Sequence, residues 1–366
     1  MAGKGQRVEI VFTITTDLGD SFLYPEAPVR LQMILKCAET GAEQTWPSPG
    51  NELQWKAGDR TLKLVVPLSS HMARDCAAGQ SIDISIRPRS ALVTALESEQ
   101  VASAAGDGLI MPAWATLNQE DRQDVLARSL NIGVAGKPIM FSVDEGIGES
   151  IARHIWDAGV VALCSIAVAV LDPSASLAQE PCMEALRQTL AVEQPLNIME
   201  LGCGVGILGL GVGALLPQAH PRPRDCFVLM TDLEEARGQA ESNIPQLYRM
   251  VPLSYENLDW EEGRLGNFGP EVSARQWDLI VLSDCTYNVD MLPVLVETLS
   301  ALHAARGPVG GGTKVFLATK PRHPSERALF DLMKEHRWET LAEQTVPLPI
   351  LGQEPETVEL YLFQKP

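Results

Sequence analysis

Over the first hundred residues, apolar and polar positions alternate in short runs. RVEIVFTI, VRLQMILKC, RTLKLVVPL and SIDISIRP are rich in β-branched residues and are separated by Gly, Pro, Asp and Asn. That pattern predicts strands with one or both faces buried. Pro49-Gly50 and Gly58-Asp59 mark breaks between them. LVTALESEQVASAA reads as one helix closing this part. In the next stretch, PAWATLNQEDRQDVLARSL predicts a helix, with Asn118 as its N-cap and acidic residues in its first turn. FSVDEGIG reads as a short strand and turn. From about residue 150 the rhythm becomes an alternation of helices and apolar strands. IARHIWDAGVVALCSIAVAV and PCMEALRQTLAV are helical, the latter started by Pro181. LNIMEL, CFVLMTDL, WDLIVLSD and TKVFLATKP are strands, with EEARGQAESNI, MLPVLVETLSALHAA and SERALFDLMKEH as helices among them. Buried strands joined by crossover helices predict a mainly parallel sheet covered on both faces. EEGRLGNFGPEVSARQ, residues 261–276, reads as a surface loop. The expected organisation is a β-rich N-terminal domain at 1–105, a connecting segment at 106–149 and an α/β domain at 150–366.

Composition narrows the class. The chain has 366 residues, enough for two domains, and 45% of them are hydrophobic, which suits a folded globular protein. With 47 acidic and 29 basic residues the formal net charge is −18. Backbone affinity for nucleic acid comes largely from Lys and Arg, so no direct nucleic-acid partner is expected. A basic partner is compatible with that field. The seven cysteines are scattered and form no CxxC pair, as expected of reduced thiols. The N-terminal MAGKGQRVEI lacks the apolar core of a secretory signal. AGVVALCSIAVAVL, at 158–171, is short of a bilayer span and reads as a buried helix, so no membrane partner is expected. The six histidines form neither HxH nor HExxH, and no metal site is indicated. The expected location is cytoplasmic, with the nucleus as a further compartment, and the expected state is a monomer.

The sharpest local feature is Gly202-Cys203-Gly204-Val205-Gly206, placed between a buried strand and a helix beginning near Val205. Gly202 and Gly204 permit close approach of backbone to a ligand, and Gly206 lets the helix pack near the sheet. Asp232 ends the following strand, where an acid can take both ribose hydroxyls, although it would equally serve as a helix N-cap. Its separation of 30 residues from Gly202 exceeds the ~20 of a dinucleotide fingerprint. Glu200 immediately precedes the loop. A carboxylate there suits a cationic or amino-bearing ligand better than a pyrophosphate, which favours S-adenosylmethionine, with its sulfonium and α-ammonium. Asp284 ends a strongly apolar strand, where a charge is costly unless paired or at a cleft. Tyr287 adds an aromatic face and a hydroxyl within one turn. The alternative for both is a strand-end cap with a packed tyrosine.

MELGCGVGILGL, TDLEEA, NLDW and WDLIVLSDCTYN together resemble the motifs of class I, seven-stranded S-adenosylmethionine-dependent methyltransferases. More narrowly they resemble the non-SET protein lysine methyltransferase group. The resemblance covers about residues 150–366. It implies a Rossmann-like seven-stranded sheet with helices on both faces, preceded here by a smaller β-rich domain. It also implies that Trp156 lines the cofactor pocket, that Gly202, Cys203 and Gly204 surround the methionine part, and that Asp232 binds ribose. Trp260 is implied beside the adenine, and Ser283 is the small residue after the fourth strand. Asp284-Cys285-Thr286-Tyr287 matches the group's DxxY signature, associated with binding the target lysine. Cys203 stands where alanine or serine is often found, and Trp156 reads equally well as core.

The chemistry so implied is transfer of a methyl group from S-adenosylmethionine to a lysine of a protein substrate, with Asp284 attracting and orienting the amine and Tyr287 lining the channel. The acceptor alternatives are a small molecule or another side chain; a non-catalytic interaction protein that keeps the fold is the third reading. Lys320-Pro321-Arg322-His323 reads either as a substrate-side loop or as a solvated turn. The N-terminal domain either recognises the protein substrate or packs on the catalytic one.

Overall fold

The computed structural model describes residues 6–104, 106–118, 124–134, 137–148, 150–244, 251–305 and 312–365. Three N-terminal runs fold as expected into strands, β1 (Arg7–Phe12), β2 (Val29–Cys37) and β5 (Leu62–Pro67); two short strands that the sequence pattern did not predict, β3 (Glu43–Trp46) and β4 (Leu53–Trp55), lie between β2 and β5. Helix α1 (Ser70–Ala77), capped by the Ser69 side chain, precedes β6 (Ile82–Pro88). β1 and β5 form an antiparallel pair, and the other strands belong to a larger antiparallel sheet. Alternate residues of β2 are buried, so Leu31, Met33 and Leu35 meet Trp55, Ile82 and Ile84 inside.

The next stretch departs from the sequence reading in two places. LVTALESEQVASAA is a 3-10 turn at Ala91–Val93 and a separate five-residue helix, α2 (Ser98–Ala102). The helix expected over PAWATLNQEDRQDVLARSL is instead two strands, β7 (Ala113–Leu117) and β8 (Val125–Asn131), with 119–123 outside the described residues. Asn118 caps no helix; at φ 63° it turns the chain at the end of β7 and donates its amide to the Gln80 carbonyl. Ladder pairing of Ile82–Ile86 with Ala113–Leu117 outweighs the local helical signals. With β9 (Met140–Gly146) the antiparallel sheet reads β3-β2-β6-β7-β8-β9, with β4 paired to β2.

From residue 157 the alternation is as expected: α3 (Asp157–Leu171), α4 (Pro181–Leu190), β10 (Asn197–Leu201), α5 (Ile207–Ala219), β11 (Phe227–Asp232), α6 (Glu234–Asn243) and β12 (Leu253–Asn257). The 261–276 stretch is more ordered than a surface loop. It holds α7 (Trp260–Gly263), capped by Asp259, and α8 (Pro270–Ser273), whose first amides donate to the Glu256 carboxylate. Val272 is buried beneath them. The chain ends in β13 (Leu279–Ser283), α9 (Leu292–Ala305), β14 (Lys314–Thr319), α10 (Ala328–Glu335), β15 (Glu339–Leu348) and β16 (Glu356–Gln364).

These strands make the expected seven-stranded sheet, in the order β12-β11-β10-β13-β14-β16-β15, parallel except for antiparallel β16. Period-two alternation sorts the side chains of the strands to two faces. Ile198, Met230 and Val281 pack with α3 and α5; Met199, Leu229 and Ile280 pack with α9. The apolar run of α3 is buried throughout Ala158–Ala169, as a core helix should be. Phe141, Val143 and Val101 join the same cluster, with α2 packed on α3 and β9 on α5 and α6.

Candidate active site

At the carboxyl end of β10 the chain makes a turn through three left-handed glycines, Gly202 (φ 63°), Gly204 (φ 53°) and Gly206 (φ 86°). A side chain at Gly202 would start 2.7 Å from the Cys285 Sγ and 3.4 Å from the Trp260 ring. Cys285 thus lies against the turn and Trp260 lies beside it. The Cys203 thiol is buried and donates toward the Gly204 carbonyl at 3.6 Å. Asp232, at the end of the adjacent β11, reaches across: its Oδ2 accepts the Gly204 N–H at 2.8 Å and its Oδ1 accepts from Leu233. Burial raises its pKa above the ordinary carboxylate value. Asp232 does not cap α6, whose N-cap is Leu233 with no side-chain cap hydrogen bond; its carboxylate is held at the glycine turn instead. Asn243 ties the turn to its surroundings. Its amide donates to the carbonyls of Val205 and Asp144, and its Oδ1 accepts the Asp144 N–H.

Glu200 is not among these groups. It faces inward under α5, 1% exposed, with its carboxylate accepting the Gly209 N–H at 2.8 Å. Burial pushes its pKa up to about 8. The expected position beside a cationic ligand is therefore replaced by one beneath the loop. The reason is register: Glu200 shares a strand face with Ile198, which packs under the same helix.

The end of β13 lies alongside. Asp284 has the left-handed φ of 51°, which Asp tolerates better than most residues. It is 9% exposed. Its Oδ2 accepts the Ala158 N–H at 2.9 Å, at the start of α3, and its Oδ1 accepts the Lys320 N–H at 3.3 Å. Arg322 approaches Oδ1 at 3.6 Å. Burial raises the Asp284 pKa to about 7 against the pull of Arg322. Ser283 faces the same helix start, its Oγ 3.1 Å from where a Gly159 side chain would begin. Trp156 immediately precedes α3, half-buried, donating its indole N–H to the Ile151 carbonyl and lying 5.2 Å from the Arg322 guanidinium. Tyr287 stands at the surface, 56% exposed.

Lys320 and Arg322 are neither a solvated turn nor a free basic spot. Lys320 is 4% exposed, and its ammonium meets Asp17 at 2.9 Å, Asp157 at 2.8 Å and Glu356 at 2.9 Å. Arg322 pairs with Asp17 at 2.8 Å. Below them Glu326 accepts the Arg322 and His323 amides and the Thr286 hydroxyl, fastening the loop after β14 to the turn after β13. Asp17, Asp157 and Glu326 escaped the sequence reading. Asp157 follows the motif tryptophan and was in reach of it; nothing local distinguishes Asp17.

The structure thus gathers Gly202, Cys203, Gly204, Asp232 and Trp260 around the glycine turn, with Ser283, Asp284 and Trp156 at the start of α3. A left-handed glycine turn, a carboxylate at the end of the neighbouring strand and an indole alongside fit an adenosyl ligand carrying an amino-acid chain. The lysine methyltransferase family matches residues 137–336, more than half of the chain. A UPF0665 family protein of Schizosaccharomyces pombe is 26% identical over 345 residues, covering 90% of each chain. The protein-lysine N-methyltransferase EFM6 of Saccharomyces cerevisiae is 30% identical over 144 residues, 38% of this chain and 56% of that enzyme. Among solved structures, a SAM-dependent methyltransferase from Methanosarcina mazei aligns at TM-score 0.34 and 14% identity, covering 49% of this chain and 96% of that one. TrmN from Thermus thermophilus aligns at TM-score 0.34 and 19% identity, covering 51% and 49%. With its seven-stranded sheet and glycine turn, the chain belongs to the lysine methyltransferase family, whose methyl donor is S-adenosylmethionine.

Proposed function

We propose that this protein methylates a lysine side chain of a protein substrate, with the donor held at the glycine turn and the acceptor arriving beside Asp284. The observation that carries the reading is the adjacency of the two halves: Cys285, next to Asp284, lies directly against Gly202. S-adenosylmethionine supplies an electrophilic methyl carbon bonded to a sulfonium sulfur. Gly202, Cys203 and Gly204 would hold its amino-acid chain by backbone contact, Asp232 would take the ribose hydroxyls, and Trp260 and Trp156 would flank it. Glu200 acts from beneath, supporting the first turn of α5.

Methyl transfer of this kind is an in-line displacement, so orientation and proximity are the protein's main contributions. Asp284 attracts the incoming ammonium and aligns it. The sulfonium of a bound donor would favour loss of the amine proton and so free the nitrogen lone pair. Tyr287, exposed at the mouth, presents an aromatic face to the methylene stem and cation. The net charge of −18 favours a basic acceptor.

Calorimetry and transfer assays on Asp284→Asn separate the two halves. S-adenosylmethionine affinity stays within about threefold of wild type while methyl transfer falls by 10²-fold or more, on the order of 3 kcal/mol of transition-state stabilisation. Weakened donor binding, with transfer restored to the wild-type rate at saturating S-adenosylmethionine, would reverse the assignment of Asp284 to the acceptor side.

A further inference from the structure

Asp17 belongs to the N-terminal strand-rich segment, in the turn between β1 and β2, yet its side chain is 4% exposed against the methyltransferase sheet. Its Oδ1 accepts from Lys320 at 2.9 Å, its Oδ2 accepts from Arg322 at 2.8 Å, and the Asp157 N–H at the start of α3 donates to Oδ2 at 3.2 Å. A carboxylate this deep has to be paired to stay charged. Burial alone would raise its pKa; the Arg322 hydrogen bond and the Lys320 charge overcome that and hold it at about 2. Arg322, fixed by Asp17 on one side, reaches Asp284 on the other.

We propose that Asp17 is a positioning residue for methyl transfer: the N-terminal segment lends its carboxylate to the acceptor side, fixing Arg322 and Lys320 and thereby setting the charge beside Asp284. This rests on the reading of Asp284 as the acceptor-side acid. The groups facing Asp284 are Asp17 from the N-terminal segment, Asp157 at the head of α3, and Arg322 and the Lys320 amide from the loop after β14. Asp17 and Asp157 oppose ionisation of Asp284, and Arg322 favours it. Glu356 shares Lys320 from the start of β16. Without the Asp17 charge the balance tips positive. Asp284 then ionises at lower pH, and an incoming ammonium meets two under-neutralised cations.

The test uses the full chain, tritiated S-adenosylmethionine and lysate from cells lacking this protein. Initial rates into the acceptor band are followed over pH and lysate dilution. Asp17→Asn keeps the acceptor atom for the Asp157 amide but drops the charge. It moves the acid limb of the concentration-limited rate down by about one pH unit and raises the acceptor concentration for half-maximal rate about tenfold, with donor affinity by calorimetry unchanged. Lys320→Gln leaves Asp17 less neutralised and moves the limb the other way; that variant decides the matter if Asp17→Asn does not fold. Folded variants with wild-type pH midpoints and acceptor dependence would overturn the proposal, leaving Asp17 a structural tie. Asp284→Asn run alongside keeps the two readings apart, because wild-type labelling by that variant defeats the acceptor assignment whatever Asp17 does.

Discussion

Gly202 holds a tightly constrained backbone position in the glycine turn. Its φ of 63° disfavours any side chain, and a Cβ there would sit 2.7 Å from the Cys285 sulfur. Gly202→Ala is therefore expected to weaken S-adenosylmethionine binding at least tenfold by calorimetry and to cost about 1–3 kcal/mol in denaturant unfolding. Glu200 makes a different prediction. Its pKa of about 8 in the folded chain lies above the ordinary 4.5, so the protonated carboxyl favours the folded state. That contribution is complete below pH 4.5 and is lost as pH rises through about 8, with a limiting slope of ~1.4 kcal/mol per pH unit. Glu200→Gln removes the titration while keeping an acceptor for the Gly209 amide. Wild type should lose stability relative to this variant between pH 5 and 9 in melting experiments; parallel profiles would contradict the buried placement.

The connections between elements depend on a few buried polar groups. Asn243, fully buried at the end of α6, bridges β9 and the glycine turn through three hydrogen bonds. Asn243→Ala strands the Asp144 amide and the Val205 carbonyl, at a cost of about 3 kcal/mol in urea unfolding, and loosens the donor site with it. Such ties mark where the sequence was legible. Strands β10, β11 and β13, with Gly202, Asp232 and Asp284 at their ends, could be placed because apolar runs, glycines and strand-end acids lie within one local window. The inward turn of Glu200 could not, since a carboxylate before a glycine loop reads alike whether it faces ligand or core until the register is known. Trp114 and its neighbours were misread for a related reason. Their helical signals are local, whereas the β6 ladder that overrules them is not.

Across the whole molecule the side proposed for the acceptor is built from distant parts of the chain. Asp17 and Lys320 are separated by 303 positions and share one ion cluster, a pairing that no local pattern encodes. The hairpin tip between β15 and β16 adds to the same docking: Leu351 packs with Leu31 and Trp55, and Gly352 lies against the Tyr24 carbonyl. The N-terminal segment and the methyltransferase sheet thus meet at the end of the sheet that carries Asp284 and Lys320. The field of the whole chain, at a net charge of −18, gives a further expectation. Steering of a basic acceptor weakens as salt rises, so acceptor-limited rates should fall severalfold between about 0.05 and 0.5 M salt. A rate indifferent to salt would argue for an acceptor recognised without charge.

One measurement bears on all of this most directly. The full chain is incubated with tritiated S-adenosylmethionine and lysate from cells lacking it, and the labelled product is sequenced by mass spectrometry. The expected result is a methylated lysine in a discrete protein band, lost with Asp284→Asn. Label on a small molecule or on a side chain other than lysine, or no label from folded protein that binds the donor, would contradict it.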